Sequence, residues 1–236
     1  MAGPAIIEGR SKVIRRVSDD LCVVTLKPTL RSFTFGRDEV VPGTEVLRLD
    51  VFEMAVEQLR FANVPTAFRE RVSADSYLAE LCNELPFEVI VKNIATGSTT
   101  RKYPGLFAEG HEFTQPVVKF DFRKDPEDEP IASDYLREYG VDPGILQDMV
   151  LATNTVLRSW FAPRVLVDFC MVVGINSKGV YTFTSEVSPD AMRLRNGGGQ
   201  PLDKDLFRRG ESSVVILETW QALVDSLREK SQRHGI

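Results

Sequence analysis

Histidine and cysteine are scarce in this chain of 236 residues. His111 and His234 are the only histidines, and the three cysteines, Cys22, Cys82 and Cys170, lie far apart. Two distant histidines argue against a histidine-based catalytic triad and against a metal site with several histidine ligands. The cysteines form no C-x-x-C spacing, so neither a zinc site nor a disulfide framework is predicted. Any chemistry must therefore rest on carboxylates, lysine and arginine.

The sequence also lacks an apolar run long enough to cross a bilayer, and Met1 to Arg10 contain no basic region followed by an apolar core. Acidic residues outnumber basic ones, 34 to 29, which gives a net charge of −5 at pH 7. We therefore expect no membrane partner, no nucleic-acid partner and a cytoplasmic location. The length suffices for one large domain or for two lobes around one cleft.

Strands and helices are predicted in separate runs, which indicates an α+β fold. The predicted strands are Val13–Val17, Leu21–Lys27, Phe87–Asn93, Pro116–Arg123, Val165–Val173 and Val180–Glu186. The predicted helices run from about Glu45 to Ala62, from Pro143 to Phe161, and from about Ser213 to Lys230. The change from a β-rich N-terminal part to a mixed C-terminal part falls near Pro86. This predicts two lobes, residues 1–86 and 87–236.

Helix ends and loops give further expectations. A loop is expected over residues 28–43, and Thr44 is expected to cap the first helix. The segment Asn63–Pro65 is expected to end that helix. Asp142 followed by Pro143 is a strong start for the second helix, because proline is favoured at the first helical position.

Strand alternation predicts one candidate cleft. In Val165–Val173, Asp168 and Cys170 share one face, whereas the residues between them must face the core. If this strand pairs with Val180–Glu186, Asp168 and Glu186 line the same cleft. The alternative is that both are solvated surface acids.

Two acids four residues apart, Glu186 and Asp190, follow at a turn marked by Pro189. Arg193 and a mixed basic and acidic stretch, Leu202–Arg208, lie downstream. Carboxylates in this arrangement are able to hold a divalent metal, and lysine and arginine beside them are able to hold phosphate. The pattern indicates an enzyme that handles a nucleotide with magnesium.

Other segments are candidate phosphate contacts. Gly9–Lys12 is a glycine turn with two basic residues, but it lacks the P-loop pattern, and an exposed basic turn is the simpler interpretation. In Lys92–Ser98 a buried strand ends in a polar pair and small residues, which lets backbone N–H groups and a hydroxyl approach an anion. A plain tight connection is the alternative there. Lys124 is either a surface residue or a phosphate contact, and Gly197–Gly199 is interpreted as a hinge or lid.

With these segments in order, the chain resembles the short, single-function form of SAICAR synthetase over nearly its whole length. The anchors are Glu8–Lys12, Glu88–Asn93 with Ala95–Ser98, Lys124 with Asp125, Leu166–Phe169, Glu186–Arg193 and Asp203–Arg208. That family uses ATP to join aspartate to the carboxylate of an aminoimidazole ribonucleotide. The resemblance implies a two-lobed fold, with a β-rich, kinase-like N-terminal lobe and an ATP-grasp-like C-terminal lobe. It also implies ATP and Mg²⁺ as cofactors, and an azole ribonucleotide and aspartate as substrates.

The resemblance assigns roles to single residues. The implied contacts with ATP phosphates are Arg10, Ser11, Lys12 and Lys124; the implied magnesium ligand is Glu186; the implied ribonucleotide contacts are Lys92, Ser98, Arg193, Lys204 and Arg208. Glu186, Asp190 and Lys124 would form the catalytic group. In the implied reaction ATP phosphorylates the azole carboxylate, and the amine of the amino acid then displaces phosphate from the acyl phosphate.

Departures from the family pattern are concentrated in one cleft. The family usually has an acidic, small-residue segment where this chain has Lys27–Phe33, and lysine and glutamate where it has Cys170 and Val172. Asn196 stands where aspartate is common, and Lys92 replaces an arginine, which removes bidentate phosphate binding. Because the phosphate-handling frame remains, we interpret the chain as a paralogue with an altered substrate site.

Three functions remain open. The first is an ATP-dependent amide ligase, either a relative in nucleoside-antibiotic pathways acting on a pyrazole C-nucleotide carboxylate, which the departures favour, or the purine-pathway enzyme itself. The second is a non-catalytic ATP-binding paralogue, and the third is a small-molecule kinase. The family often forms homo-oligomers, but no feature of this sequence demonstrates one.

Overall fold

The computed structural model describes residues 5–125 and 127–233, and within them the strands form three antiparallel sheets. Expectations for Met1–Pro4, Pro126 and His234 lie outside the described residues. The strands are β1 (Ala5–Glu8), β2 (Lys12–Arg16), β3 (Leu21–Leu26), β4 (Thr29–Ser32), β5 (Arg37–Val40), β6 (Phe68–Arg71), β7 (Ser76–Glu80), β8 (Asn83–Ile94), β9 (Glu112–Phe122), β10 (Glu129–Ile131), β11 (Val165–Ile175), β12 (Tyr181–Phe183) and β13 (Met192–Arg195). The helices are α1 (Thr44–Phe61), α2 (Ser98–Lys102), α3 (Ser133–Glu138), α4 (Pro143–Phe161), α5 (Asp205–Arg208) and α6 (Ser213–Arg233). The predicted α+β class is confirmed.

The first sheet has the strand order β1-β2-β3-β7-β6. The predicted hairpin is β2–β3, with Ile14 opposite Val24 and the turn closed where Val17 N donates to Leu21 O. Both of these facing residues are buried, because alternate residues of the two strands turn the same face to the core.

The second sheet has the order β10-β9-β8-β11-β12, and β13 pairs with the other end of β11. Its central pair is β8 and β11, in which Lys92 lies opposite Asp168 and Glu88 opposite Val172. The predicted turn between β11 and β12 is present, since Asn176 N donates to Val180 O. β12 ends at Phe183, short of the predicted Glu186, and the chain then crosses to β13.

Helix α1 packs against both α4 and α6, and the three helices share one hydrophobic core with both large sheets. The predicted stripe on α1 is confirmed, because Val51, Phe52, Val56 and Leu59 are each at most 1% exposed. The start of α4 is also as predicted, since the Asp142 side chain accepts a hydrogen bond from Gly144 N at 2.8 Å.

Two local predictions are wrong. Thr44 does not cap α1: Gly43 occupies the N-cap position with φ 101°, and the Thr44 hydroxyl donates backwards to Val41 O. The expected loop over residues 28–43 contains the hairpin β4–β5, whose turn is closed where Gly36 N donates to Phe33 O. Strands of four residues with polar side chains carry too little alternation to be recognised.

The change from the first sheet to the second lies between Glu80 and Asn83, a few residues before Pro86. A division into lobes at Pro86 itself stays a prediction. None of the helices in the described part of the chain combines the length and hydropathy needed to cross a bilayer.

Candidate active site

The candidate site lies on one face of the second sheet, where side chains line a cleft of about 220 Å³. Glu88 and Lys92 of β8 reach this cleft because alternate residues of a strand point to the same face. The residues between them, Val89 and Val91, are buried in the core on the opposite face. β9 and β11 add their own cleft-facing residues on either side of β8, namely Lys119, Asp121, Asp168 and Cys170.

A series of ion pairs closes one end of the cleft. Asp168 Oδ2 lies 2.9 Å from Lys92 Nζ and 2.7 Å from Arg193 Nη1. Arg193 Nε lies 3.4 Å from Asp205 Oδ2, and Asp205 Oδ1 lies 2.6 Å from Arg208 Nη1. Three cations share two carboxylates at this end, so it carries net positive charge and suits a phosphate group.

Asp168 is the anchor of this series and is only 4% exposed. Burial alone would raise its pKa, but Arg193 and Lys92 outweigh that effect and hold the pKa below its usual value. Asp168 is therefore a buried carboxylate that stays charged, and the alternative of a solvated surface acid is wrong.

The loop after β8 lies directly over Arg193. Gly97 has φ 60°, and a Cβ added there would lie 2.9 Å from Arg193 Nη2, so only glycine fits. Ser98 follows at the start of α2 and lines the cleft. Four predicted ribonucleotide contacts, Lys92, Ser98, Arg193 and Arg208, thus share one cleft.

The fifth predicted contact, Lys204, lines an adjacent cavity of about 460 Å³. Arg10 and Ser11 line the same cavity, together with Lys27 and Arg31. The basic side chains make this cavity a second suitable place for phosphates.

Asp190 lines both cavities and so lies at their junction. Its Oδ1 is 2.7 Å from Lys204 Nζ. Burial would raise the pKa of Asp190, but Lys204 and Arg48 outweigh it, and the pKa lies below its usual value. Asp190 is therefore ionised between two cations.

Lys12 lies apart from Arg10 and Ser11, at an apolar cavity of about 350 Å³ between β2, β3 and the start of β8. Its Nζ is 3.4 Å from Glu84 Oε1, and Arg123 Nη1 is 3.2 Å from Glu84 Oε2. The apolar lining comes mainly from Ile6, Ile7, Ile14, Cys22, Val24, Ala67, Ala79 and Leu81. An apolar slot with a charged rim suits a flat heterocycle, and the sequence analysis did not identify it.

Glu186 is held by a residue that the sequence analysis also missed. Arg48, only 1% exposed, donates from Nε and Nη2 to Glu186 Oε1 at 2.8 and 2.6 Å. The Ser188 hydroxyl donates to the same oxygen, whereas Glu186 Oε2 is buried without a hydrogen-bond partner in the part of the chain that the structure describes. An arginine inside the apolar stripe Leu47–Leu49 is the signal that could have revealed this pair.

One site expectation must be corrected. Glu186 is not among the residues that line the cleft, so Asp168 and Glu186 do not share it as expected. No group of three or more histidine, cysteine, aspartate or glutamate side chains suited to a metal occurs within residues 5–125 and 127–233. The predicted magnesium ligand, Glu186, stays a prediction.

Lys124 is exposed at the rim of the site. Its Nζ lies 2.7 Å from Glu129 Oε1, and it lines neither the cleft nor the adjacent basic cavity. The neighbouring Asp125 pairs with Arg31, a residue of that basic cavity, and its Oδ1 lies 3.5 Å from Arg31 Nη1. The predicted contact of Lys124 with phosphate therefore requires its side chain to leave Glu129.

The departures from the family pattern fall in different places. Cys170 lines the cleft, and burial, with Glu88 and Asp168 nearby, raises the pKa of its thiol well above the usual value. Val172 is buried, and Asn196 accepts hydrogen bonds from Gly198 N and Gln200 N in a turn. Of these three positions, Cys170 is the one on the cleft surface.

Comparison with known proteins gives one family. The family model of SAICAR synthetase matches residues 5–224. The phosphoribosylaminoimidazole-succinocarboxamide synthase of Methanothermobacter thermautotrophicus is 36% identical over 178 residues, covering 72% of this chain and 69% of that protein. The protein of the same name from Streptococcus pyogenes is 28% identical over 238 residues, covering 96% of this chain and 99% of that protein.

Solved structures share the fold. A SAICAR synthetase in complex with ADP superposes with a TM-score of 0.87 at 23% identity, covering 94% of this chain and 96% of that one. The Ehrlichia chaffeensis phosphoribosylaminoimidazole-succinocarboxamide synthase superposes with a TM-score of 0.89 at 20% identity, covering 95% of this chain and 98% of that one. The Saccharomyces cerevisiae SAICAR-synthase complexed with SAICAR superposes with a TM-score of 0.74 at 18% identity, covering 96% of this chain and 91% of that one. At these identities the likeness concerns the fold alone.

Proposed function

Because the chain belongs to the SAICAR synthetase family, an ATP-dependent carbon–nitrogen ligase family, we propose that it joins the amine of aspartate to the carboxylate of an aminoimidazole ribonucleotide. The observation that carries this proposal is that a cleft with a cationic end and an adjacent basic cavity share Asp190. One suits the phosphate of a ribonucleotide and the other suits the phosphates of ATP. The two relatives cited above are both named phosphoribosylaminoimidazole-succinocarboxamide synthase, which supports the proposal.

The ribonucleotide phosphate would bind at the cationic end of the cleft. Lys92, Arg193 and Arg208 supply charge there, and Ser98 supplies a hydroxyl at the loop that packs on Arg193. Since Asp168 and Asp205 hold the two arginines in place, the donors need little rearrangement on binding. The azole ring would then lie further along β8, beside Ile90 and Cys170.

ATP would extend from the apolar slot beside Lys12 to the basic cavity. The adenine would occupy the apolar slot, and Arg10, Ser11 and Lys204 would contact the phosphates. Lys124 would join them from the rim after leaving Glu129. This arrangement brings the terminal phosphate towards Asp190, where the two cavities meet.

The residues present fit a magnesium ion that is held mainly by water and phosphate oxygens. Mg²⁺ commonly uses only one or two carboxylates together with substrate phosphates. Glu186, whose Oε2 is buried without a hydrogen-bond partner among the described residues, would supply one such ligand once its side chain turned towards the basic cavity, which it does not line. Bound there, the ion would neutralise charge on the phosphates of ATP.

In the reaction, a carboxylate oxygen of the azole attacks the terminal phosphorus of ATP, and the bond to the bridging oxygen breaks to release ADP. The amine nitrogen of aspartate then attacks the acyl carbon, the amide bond forms, and the carbon–oxygen bond to phosphate breaks. Arg10 and Lys204 would stabilise the charge that moves between ATP and the azole. No histidine is required.

One observation supports a second substrate. Cys170 presents a neutral thiol to the cleft at a position where the family usually has lysine, so the contact that the ring makes there is altered. This would suit a pyrazole C-nucleotide carboxylate as well as an imidazole. The names of the relatives support the imidazole substrate.

The test is ADP release with ATP, magnesium and aspartate, using the aminoimidazole carboxylate ribonucleotide or a pyrazole carboxylate C-nucleotide, with mass spectrometry of the products. We expect amide formation with the imidazole substrate. If amide formed from the pyrazole compound and not from the imidazole compound, the pyrazole C-nucleotide would be the substrate. ADP release without aspartate, with a stable phosphorylated product, would indicate a kinase, and binding of ATP without turnover would indicate a non-catalytic protein.

A matched pair of variants tests where the ribonucleotide binds. Arg208→Met should raise KM for the ribonucleotide about 10-fold to 100-fold, because a hydrogen bond to a charged group contributes about 1.5–3 kcal/mol. Arg137→Met, at an exposed arginine on α3, should leave KM unchanged. If Arg208→Met and Arg137→Met had the same KM for the ribonucleotide, the ribonucleotide phosphate would not bind in the cleft.

A further inference from the structure

Glu88 differs from the other carboxylates of the cleft. The others all have a donor: Asp121 pairs with Lys119, Glu127 with Arg101, Asp128 with Lys124 N, Asp168 with Lys92 and Arg193, and Asp190 with Lys204. Glu88 makes no hydrogen bond or ion pair with any described residue, and its side chain lines the cleft. A half-buried carboxylate left without a partner is costly unless a ligand uses it.

The groups around Glu88 leave it without a counterion. From β9 it faces Asp121 and Lys119, whose charges are joined at 2.5 Å. From the loop after β9 come Asp128 and Arg123, and Arg123 is engaged with Glu84. From β11 it faces the neutral thiol of Cys170 and the side chain of Val172, and on its own strand Lys92 is engaged with Asp168.

Burial, with Asp128 and Asp121 nearby, raises the pKa of Glu88 to about 7, and Arg123 and Lys119 only partly oppose this. A carboxylate with a pKa near the working pH accepts a proton effectively and still loses it again. Geometry and charge therefore agree: the cleft has a cationic end at Lys92 and an unpaired carboxylate further along the same strand.

We propose that Glu88 is the general base of the ligation, which takes a proton from the ammonium group of the incoming amino acid. The inference rests on the proposed function and deepens it. The ammonium gives one proton to the Glu88 carboxylate, and the freed electron pair on nitrogen forms the bond to the acyl carbon. Phosphate leaves with the electrons of the broken carbon–oxygen bond, and the second nitrogen proton goes to that phosphate. Protonated Glu88 returns its proton to water after the amide is released.

The experiment compares two nucleophiles in the wild type and in Glu88→Gln. Hydroxylamine is largely neutral near pH 7, so it traps the acyl phosphate as a hydroxamate without needing a base, whereas aspartate needs one. We expect Glu88→Gln to lower amide formation with aspartate by about 10²-fold to 10⁴-fold and to leave hydroxamate formation within a few-fold of wild type. Glu57→Gln, the same change at an exposed position of α1, should alter neither rate.

The pH dependence separates a base from a merely structural group. In the wild type, kcat/KM for aspartate should include a rise that levels off above a pKa near 7 and that hydroxamate formation lacks. In Glu88→Gln the rate with aspartate should keep rising at higher pH, as the free amine loses its own proton. If the variant does not fold, the comparison of the two wild-type pH profiles still decides the matter.

Three results would overturn the inference. Glu88→Gln could form amide at the wild-type rate; a folded Glu88→Gln could lose hydroxamate and amide formation equally, which would place Glu88 in carboxylate activation; or the two wild-type profiles could coincide. A wild type that forms neither product is a different outcome, because it contradicts the proposed function itself.

Discussion

At the scale of single residues, the most consequential side chain is Asp168, because two cations depend on it. Replacing Asp168 by alanine leaves Lys92 and Arg193 without their shared partner in a buried site. Breaking a buried ion pair in this way costs about 3–5 kcal/mol. We therefore expect Asp168→Ala to lower the free energy of unfolding by that amount in urea denaturation.

Asp134 provides the control for that measurement. It is exposed on α3 and pairs only with Arg137 at the surface, so Asp134→Ala should change the free energy of unfolding by less than about 1 kcal/mol. Equal losses in the two variants would mean that the Asp168 pairs contribute no more than a surface pair.

Glu88 should affect stability in a pH-dependent way. Its pKa is raised in the folded state from 4.5 to about 7, so the fold favours the protonated form. The protonated Glu88 side chain therefore contributes to the free energy of unfolding in full below pH 4.5, and this contribution is lost as the pH rises towards 7. Above pH 7, Glu88→Gln should therefore be more stable than wild type, by up to about 3 kcal/mol, and near pH 4.5 the two should be equal.

Thermal denaturation across this pH range measures the effect without any substrate. A Glu88→Gln protein that is less stable than wild type at pH 8 would show that the carboxylate is held by a favourable contact. The higher stability expected for Glu88→Gln above pH 7 would show that the wild-type carboxylate lowers the stability of the fold at the pH at which it acts as a base.

At the scale of elements, the loop between β8 and α2 depends on Gly97. Alanine there would adopt an unfavourable φ of 60° and place its Cβ 2.9 Å from Arg193 Nη2. Gly97→Ala should displace Arg193 and raise KM for the ribonucleotide at least 10-fold, as expected when a charged contact weakens. Gly105→Ala has a similar φ, 80°, but open space around the Cβ, so its KM should stay near wild type. Equal KM values would show that Arg193 tolerates the methyl group.

The longer elements could be predicted from the sequence because their signals are local. The β2–β3 hairpin, the β11–β12 turn and the Asp142 cap of α4 follow from alternation, turn residues and capping within a few positions. The β4–β5 hairpin and the start of α1 could not, since four-residue polar strands and the backbone at Gly43 leave little trace in residue type.

At the scale of the whole molecule, the site is assembled by contacts between distant parts of the chain. Lys92 and Asp168 are 76 positions apart, and Arg48 and Glu186 are 138 apart. The sequence identified most of the charged residues but not their pairing, because pairing depends on strand register and on how α1 packs. For the same reason it placed Asp168 and Glu186 in one cleft and missed Arg48.

The cleft and the basic cavity meet at Asp190, and we expect a phosphoryl group to pass from ATP to the azole carboxylate there. The most direct test uses the aminoimidazole ribonucleotide with its carboxylate labelled with oxygen-18, in the presence of ATP, magnesium and aspartate. An acyl phosphate intermediate transfers one labelled oxygen to each phosphate released, and this is the predicted result. Amide formation with unlabelled phosphate would contradict the account.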